Sequence, residues 1–213
     1  MKVNEPNETI RLESSQKHQA TEVLTAAFLE DPLFQHLFPD VNERSASLKR
    51  LFGAVVGYSL KFGIAHTTAS VDGVACWLSP GNTKITFWRM LQAGLEFQRA
   101  VIKLQADTRN RMLEAMAYMD EIHNRLMAGP DMDFHWYLWA LGVSPSAQGQ
   151  GHGGKLIQPI LARSDLSKNF CYLETLNERN VAFYQQWGFD VGNEAIVPEI
   201  ELRVWSMIRE PRP

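Results

Sequence analysis

The sequence predicts a single α/β domain, in the α+β sense, built on a mixed sheet flanked by helices. Three observations lead there. Apolar runs of strand character alternate with segments of helical spacing along the chain, and no repeat, low-complexity tract or linker interrupts them. A strand, tight turn, strand pattern sits in the first half at "IAHTTAS", "VDG" and "GVACWLSPG". In the second half the glycine-rich stretch "QGQGHGG" joins an apolar strand to a helix. A length of 213 residues fits one domain over 1–213.

Each element has its own signal. "TIRLES" reads as a short first strand, and "SSQKHQATEVLTAAFLED" as a helix with Ala20, Val23, Leu24, Ala27 and Phe28 at helical spacing. Pro32 ends that helix, so "DPLFQHLFPD" is expected to be a short loop. "NERSASLKRLFGAVVGYSLKFG" is a second helix, with Asn42 as its N-cap. The hairpin follows. From Thr83 to Met127 the pattern is helical in two pieces, one marked by Ile85, Trp88, Leu91 and Leu95, the other by Met112, Met116, Met119 and Ile122. The methionine stripe reads as core packing, because Met fills irregular gaps. "AGPDMD" is a loop and "FHWYLWALGV" a strand. After the glycines come the helix "GGKLIQPILARSDL", the strand "FCYLETL", the helix "NERNVAFYQQWG" and the strands "FDVGNEAIV" and "IELRVWSMIR".

Composition narrows the function. A net charge of -3 without any dense Lys/Arg run argues against nucleic acid as a partner. The start "MKVNEPNETI" lacks the apolar core of a signal peptide, and no segment is apolar enough to span a bilayer, so no membrane partner and a cytoplasmic location are expected. Cys76 and Cys171 match no zinc spacing and are expected to be buried free thiols. No metal site is expected.

Three ligands compete for the glycine loop. Gly149, Gly154 and Lys155 satisfy G-x-x-x-x-G-K, but Leu156 stands where a nucleoside-triphosphatase loop needs a hydroxyl for magnesium. Gly149, Gly151 and Gly154 also fit G-x-G-x-x-G, yet no βαβ unit with a ribose-binding acid surrounds them. The third reading is Q-x-x-G-x-G over Gln148-Gly149-Gln150-Gly151-His152-Gly153, after an apolar strand. In this the chain resembles the GNAT superfamily of acyl-CoA-dependent N-acyltransferases, whose loop backbone and helix N-terminus hold the coenzyme A pyrophosphate. Glycines let a backbone close in on an anion, and unpaired amides with the helix dipole attract a diphosphate without metal.

A second motif adds weight. "LETLNERNVAFYQQWGF" places Asn177, Asn180, Tyr184, Gly188 and Phe189 as the family does after its fifth strand. The wording is similar to the puromycin N-acetyltransferase-like branch, and the firm resemblance covers 134–189. It implies a GNAT-like domain whose central sheet is mixed, mostly antiparallel and twisted, and splayed at the strand before the glycine loop. It implies an acetyl-CoA-dependent N-acetyltransferase moving an acetyl group directly to a primary amine of a small molecule. The cofactor-binding set it implies runs over Leu141, Gly142, Val143, Gln148, Gly149, Gln150, Gly151, His152, Gly153, Gly154 and Lys155, then Asn177, Asn180 and Tyr184. By itself, His152 reads as a solvated side chain. Asn177 is also the expected N-cap of its helix, and the choice between Asn177 and Asn180 for the pantetheine amides is open. Tyr184 is the residue that in the family protonates the departing thiolate; a packed core aromatic is its other reading. A homodimer is left open, and so is a non-catalytic acyl-CoA-binding module of the same fold.

The base is where the family pattern departs. Many members carry a glutamate on the strand before the loop; counting back from Gln148 lands on Tyr137. Glu174, at the end of the next strand, is the preferred base, with His135 as the alternative on the Tyr137 face. For the acceptor, "LEDPLFQHLFPD" offers Glu30, Asp31, His36 and Asp40 among apolar residues, a setting for an amine with an aromatic or aliphatic body.

Overall fold

The computed structural model describes residues 9–84, 89, 99, 101–129, 132 and 134–213. Its strands are β1 (Thr9–Arg11), β2 (Gly63–Thr68), β3 (Gly73–Leu78), β4 (Trp136–Val143), β5 (Cys171–Thr175), β6 (Asp190–Val197) and β7 (Leu202–Arg209). The helices are α1 (Lys17–Phe28), α2 (Pro32–Leu37), α3 (Val41–Phe62), α4 (Ala106–Leu126), α5 (His152–Ser167) and α6 (Glu178–Gln186). All seven strands join one sheet in the order β1-β2-β3-β4-β5-β7-β6. Every neighbouring pair is antiparallel except β4 and β5. This is the single GNAT-like α/β domain expected from the sequence.

Two features of β4 set the position of the site. Its parallel ladder with β5 holds only Trp136 opposite Cys171 and Tyr137 opposite Tyr172; beyond these the strands part. On the other edge, Leu138 pairs with Trp77 and Ala140 with Cys76, so Trp139 is the extra residue of a bulge. The bulge reverses the side-chain phase. Leu138 packs with Leu156, Ile157 and Ile160 of α5, while Trp139 and Ala140 both pack with the α1 and α3 side. A third cluster joins α2 and α4 to the β6–β7 hairpin.

Local chemistry explains the departures from expectation. The stretch after Pro32 is not a loop but helix α2, because proline is tolerated at a first helical position and the Asp31 carboxylate accepts from the Leu33 amide. Helix α3 is capped by Asp40, which accepts from the Glu43 amide at 2.8 Å, so Asn42 lies inside the helix. Asn177 does cap α6, accepting from the Arg179 amide at 3.1 Å. Of the two helical pieces expected between Thr83 and Met127, α4 is the second; the face at Ile85, Trp88, Leu91 and Leu95 lies outside the described residues. Both cysteines are buried free thiols. No helix among the described residues is long and apolar enough to cross a membrane.

Candidate active site

Helix α5 begins where the sequence places the glycine loop. Gly149 and Gly151 have φ of 77° and 76°, in the left-handed region where an L side chain is strained. A Cβ built on either would meet nothing within 4 Å, so the backbone faces open space there. Gly151 is the N-cap, and no side chain caps this end. The first amides of α5 thus take no side-chain cap among the described residues, and the positive end of a sixteen-residue helix lies behind them. The loop is held from below by Gln148, whose amide Nε2 donates to the Val143 carbonyl at 3.0 Å. Gln150 and Lys155 are exposed beside it.

Not every glycine of the stretch opens to the loop. A Cβ on Gly154 would lie 2.1 Å from Cζ2 of Trp187, and one on Gly153 would lie 3.3 Å from the Phe183 ring. These two let α5 approach α6, and Gly142 likewise admits Leu24 and Ala27 of α1. Gly154→Ala is thus expected to lower stability by about 1–3 kcal/mol by overpacking against the indole. A urea or thermal unfolding comparison measures it. His152 is not solvated: it is 4% exposed, and its Nδ1 has no hydrogen-bond partner among the described residues. The first turn of α5 packs down onto the sheet, which the loop composition did not reveal.

The opening between β4 and β5 leads into a cleft of about 220 Å³. Leu138 to Leu141 of β4 form one wall, and Thr175, Leu176, Asn180 and Tyr184 the other. Its far end is apolar, made by Phe28, Leu33, Phe34, Leu51, Phe52 and Val55 together with Met112, Met116 and Met119. The methionine stripe read as core is therefore also a cleft wall. Of the acidic and imidazole groups offered for an acceptor, only Asp31 lines the cleft. Burial raises its pKa, against the Leu33 and Phe34 amides that lower it. Glu30 bonds Gln35, His36 contacts Arg111 and Asp40 caps α3. Asn180 lines the cleft, its Nδ2 donating to Thr175 Oγ1 at 3.1 Å; Asn177 does not line it.

Glu174 stands at the fork of the two strands. The Tyr137 hydroxyl donates to its Oε2 at 2.7 Å and the Tyr172 hydroxyl to its Oε1 at 2.9 Å. Burial pushes this carboxyl up to about 7, and Asp120 adds to the rise, while the two phenols hold it down. Tyr137, at the position where the sequence leaves the family's pattern, thus binds a carboxylate carried by the neighbouring strand. His135 shares the Tyr137 face but lines a different cavity. Tyr184 is 7% exposed and also lines the cleft. Burial raises its phenol above the ordinary value, so it stays protonated at any working pH. Its hydroxyl has no hydrogen-bond partner among the described residues.

A splayed mixed sheet, a glycine turn ahead of a helix, and a cleft with a carboxyl near neutrality define the architecture of an acyl-transfer enzyme. Comparison with known proteins points to acetyltransferases. Residues 111–191 match the acetyltransferase (GNAT) domain. An uncharacterized N-acetyltransferase of Schizosaccharomyces pombe is 29% identical over 206 residues, spanning 94% of this chain and 82% of that protein. A Corynebacterium glutamicum crystal structure, histone acetyltransferase HPA2 and related acetyltransferase, shares the fold with a TM-score of 0.65 at 21% identity, over 97% of both chains. Arylalkylamine N-acetyltransferase 2 from Aedes aegypti does so with a TM-score of 0.65 at 16% identity, over 96% of this chain and 99% of that one. Residues 111–191 thus carry the match to the GNAT acetyltransferase domain, and the chain is an N-acetyltransferase.

Proposed function

We propose that this enzyme transfers the acetyl group of acetyl-CoA directly to the primary amine of a small molecule with an apolar body. The observation that carries the reading is the apolar cleft with the Glu174 carboxyl held by two phenols at the strand fork; Asp31 is the other carboxyl of its lining. An amine lying in that cleft keeps its hydrocarbon against Phe28, Phe34, Phe52 and the methionines, and brings nitrogen to Glu174. One structural neighbour is named for arylalkylamines, which agrees with a body of this kind. Kinship with the puromycin N-acetyltransferase-like branch belongs to the same proposal and rests on the sequence wording alone.

The residues divide the work as follows. The open amides after Gly151, with Gly149 leaving room and Lys155 adding charge, hold the pyrophosphate of the co-substrate. The edge of β4 that β5 leaves free, from Leu138 to Val143, bonds the extended pantetheine, with Asn180 opposite. A β4 amide there faces the thioester oxygen and stabilises the charge that develops on it. Glu174 takes a proton from the ammonium, since only a neutral amine attacks. The nitrogen–carbon bond forms, the carbon–sulfur bond breaks and Tyr184 gives its proton to the departing sulfur; the second proton that the nitrogen sheds on becoming an amide returns to the phenolate through solvent, and Glu174 releases its own to solvent.

The test is thiol release from acetyl-CoA with a panel of amines graded in apolar size. Aromatic and aliphatic amines should turn over faster than equally long amines with several charges; equal rates across the panel would remove the apolar cleft as the acceptor site. Gly151→Val is expected to raise the acetyl-CoA KM at least tenfold while leaving the fold intact, since it strains a left-handed residue of an exposed loop and fills the open space. An unchanged acetyl-CoA KM would take the loop out of the site.

A further inference from the structure

Behind Glu174 lies a pair of groups that the transfer does not yet use. His123, on α4, and His135, just before β4, are both buried, and their Nε2 atoms are 2.8 Å apart. His135 Nδ1 lies 2.7 Å from the Met132 carbonyl oxygen. A carbonyl only accepts, so this Nδ1 carries a proton. In a neutral ring His135 Nε2 is then the acceptor, and His123 Nε2–H donates to it. Burial first, and then His135 and Lys84, lower His123 to about 3, which keeps its ring uncharged in the range where Glu174 titrates.

The His123 ring lies flat on Tyr172, with centroids 4.1 Å apart and planes 6° from parallel. It also touches the Tyr137 ring at 4.9 Å. These are the two phenols that donate to Glu174. His123 also lines a second cavity, with Lys84, Asp120, Asn124 and His135, which shares no lining residue with the acceptor cleft. His123, lining the polar space, thus meets Tyr137, which lines the apolar one, and Tyr172 stacks on His123 without lining either.

We propose that His123, held by His135, is a positioning residue of the transfer reaction: its ring keeps Tyr172 and Tyr137 closed over the Glu174 carboxyl and shuts the polar cavity off from the acceptor cleft. The inference rests on Glu174 being the base. A carboxyl walled off from water is a stronger base than a hydrated one, and the wall is what this ring completes. The groups facing Glu174 are Tyr137 from β4, Tyr172 from β5 and Asp120 from α4; Lys84 and His135 act on His123, and Asp31 lines the same cleft.

The experiment is the pH profile of kcat/KM in the whole protein, for His123→Ala, His123→Phe, His135→Ala and Glu174→Gln. His123→Ala admits water from the polar cavity, so the acid limb should move down by about one to two pH units. The plateau should fall about tenfold, because the rehydrated carboxyl is a weaker base. His123→Phe restores a flat ring on Tyr172 and should return the limb to its wild-type place. His135→Ala frees the His123 ring without removing it, and gives a smaller shift in the same direction; it carries the test if His123→Ala does not fold. A wild-type limb in both alanine variants, with the limb lost in Glu174→Gln, overturns the inference alone. A limb that stays near pH 7 in Glu174→Gln, instead of moving up toward the amine's own pKa, overturns the base assignment and the inference with it.

Discussion

Glu174→Gln is expected to lower kcat/KM near neutral pH by about 10²–10⁴-fold, the usual loss when a positioned general base is removed. The deficit should have a particular shape. The wild-type rate falls as pH drops through about 7, because a proton then occupies the carboxyl that must accept one. The glutamine variant relies on amine already deprotonated in bulk solvent. Its rate climbs with pH toward the amine's own pKa, and the gap to wild type closes there. If the site merely captures the neutral fraction of the amine, the two profiles coincide. The same carboxyl gives an independent readout in stability. Burial raises its pKa from 4.5 in the open chain to about 7 in the fold. Its contribution to stability is therefore complete below the unfolded value and is lost as pH rises through about 7. Urea unfolding at acid and alkaline pH should show wild type losing stability across that window and the glutamine variant losing less. A wild-type slope in the variant would mean that another group titrates there.

What could be read from the sequence and what could not follow from the range of the interactions. The strand before the glycines, the start of α5 and the cap at Asn177 are local: each rests on neighbours within a few residues. The clamp on Glu174 is not. It needs Tyr137 and Tyr172 brought side by side by a parallel pairing of only two residue pairs, across an intervening helix. Tyr137 looked like a missing base because its partner carboxylate belongs to another strand. The bulge at Trp139 was hidden for the same reason, since an extra residue on one strand shows only against the register of its partner. His123 was missed too. The only trace was a polar residue following the stripe of Met112, Met116, Met119 and Ile122, and a helical pattern alone does not say which face meets the sheet. Gly154 adds a role the glycine run did not reveal, since the space its missing side chain leaves is taken by Trp187.

Tyr184→Phe is expected to keep the fold and the acetyl-CoA affinity while kcat drops by about 10²–10⁴-fold. The packing argument supports the first half. The ring sits in the α5 cluster, with Phe183 at 5.1 Å and Phe189 at 5.8 Å between centroids, and phenylalanine fills the same space. The hydroxyl makes no hydrogen bond among the described residues, so its removal leaves none of them unsatisfied. The second half follows from where that hydroxyl lies. It is the protonated donor on the α6 wall of the cleft, across the strand fork from Glu174, and burial keeps it protonated throughout the range in which Glu174 works. One group can then receive the proton of the amine while the other gives one to the sulfur, with no single residue needed in both states at once. Stopped-flow acetyl-CoA binding, thiol release and thermal unfolding on the same preparation separate the outcomes. Unchanged binding and melting with a collapsed kcat place the hydroxyl in the chemistry. A lowered melting temperature with normal turnover per folded molecule would assign Tyr184 to the core and leave the thiolate to be protonated by solvent.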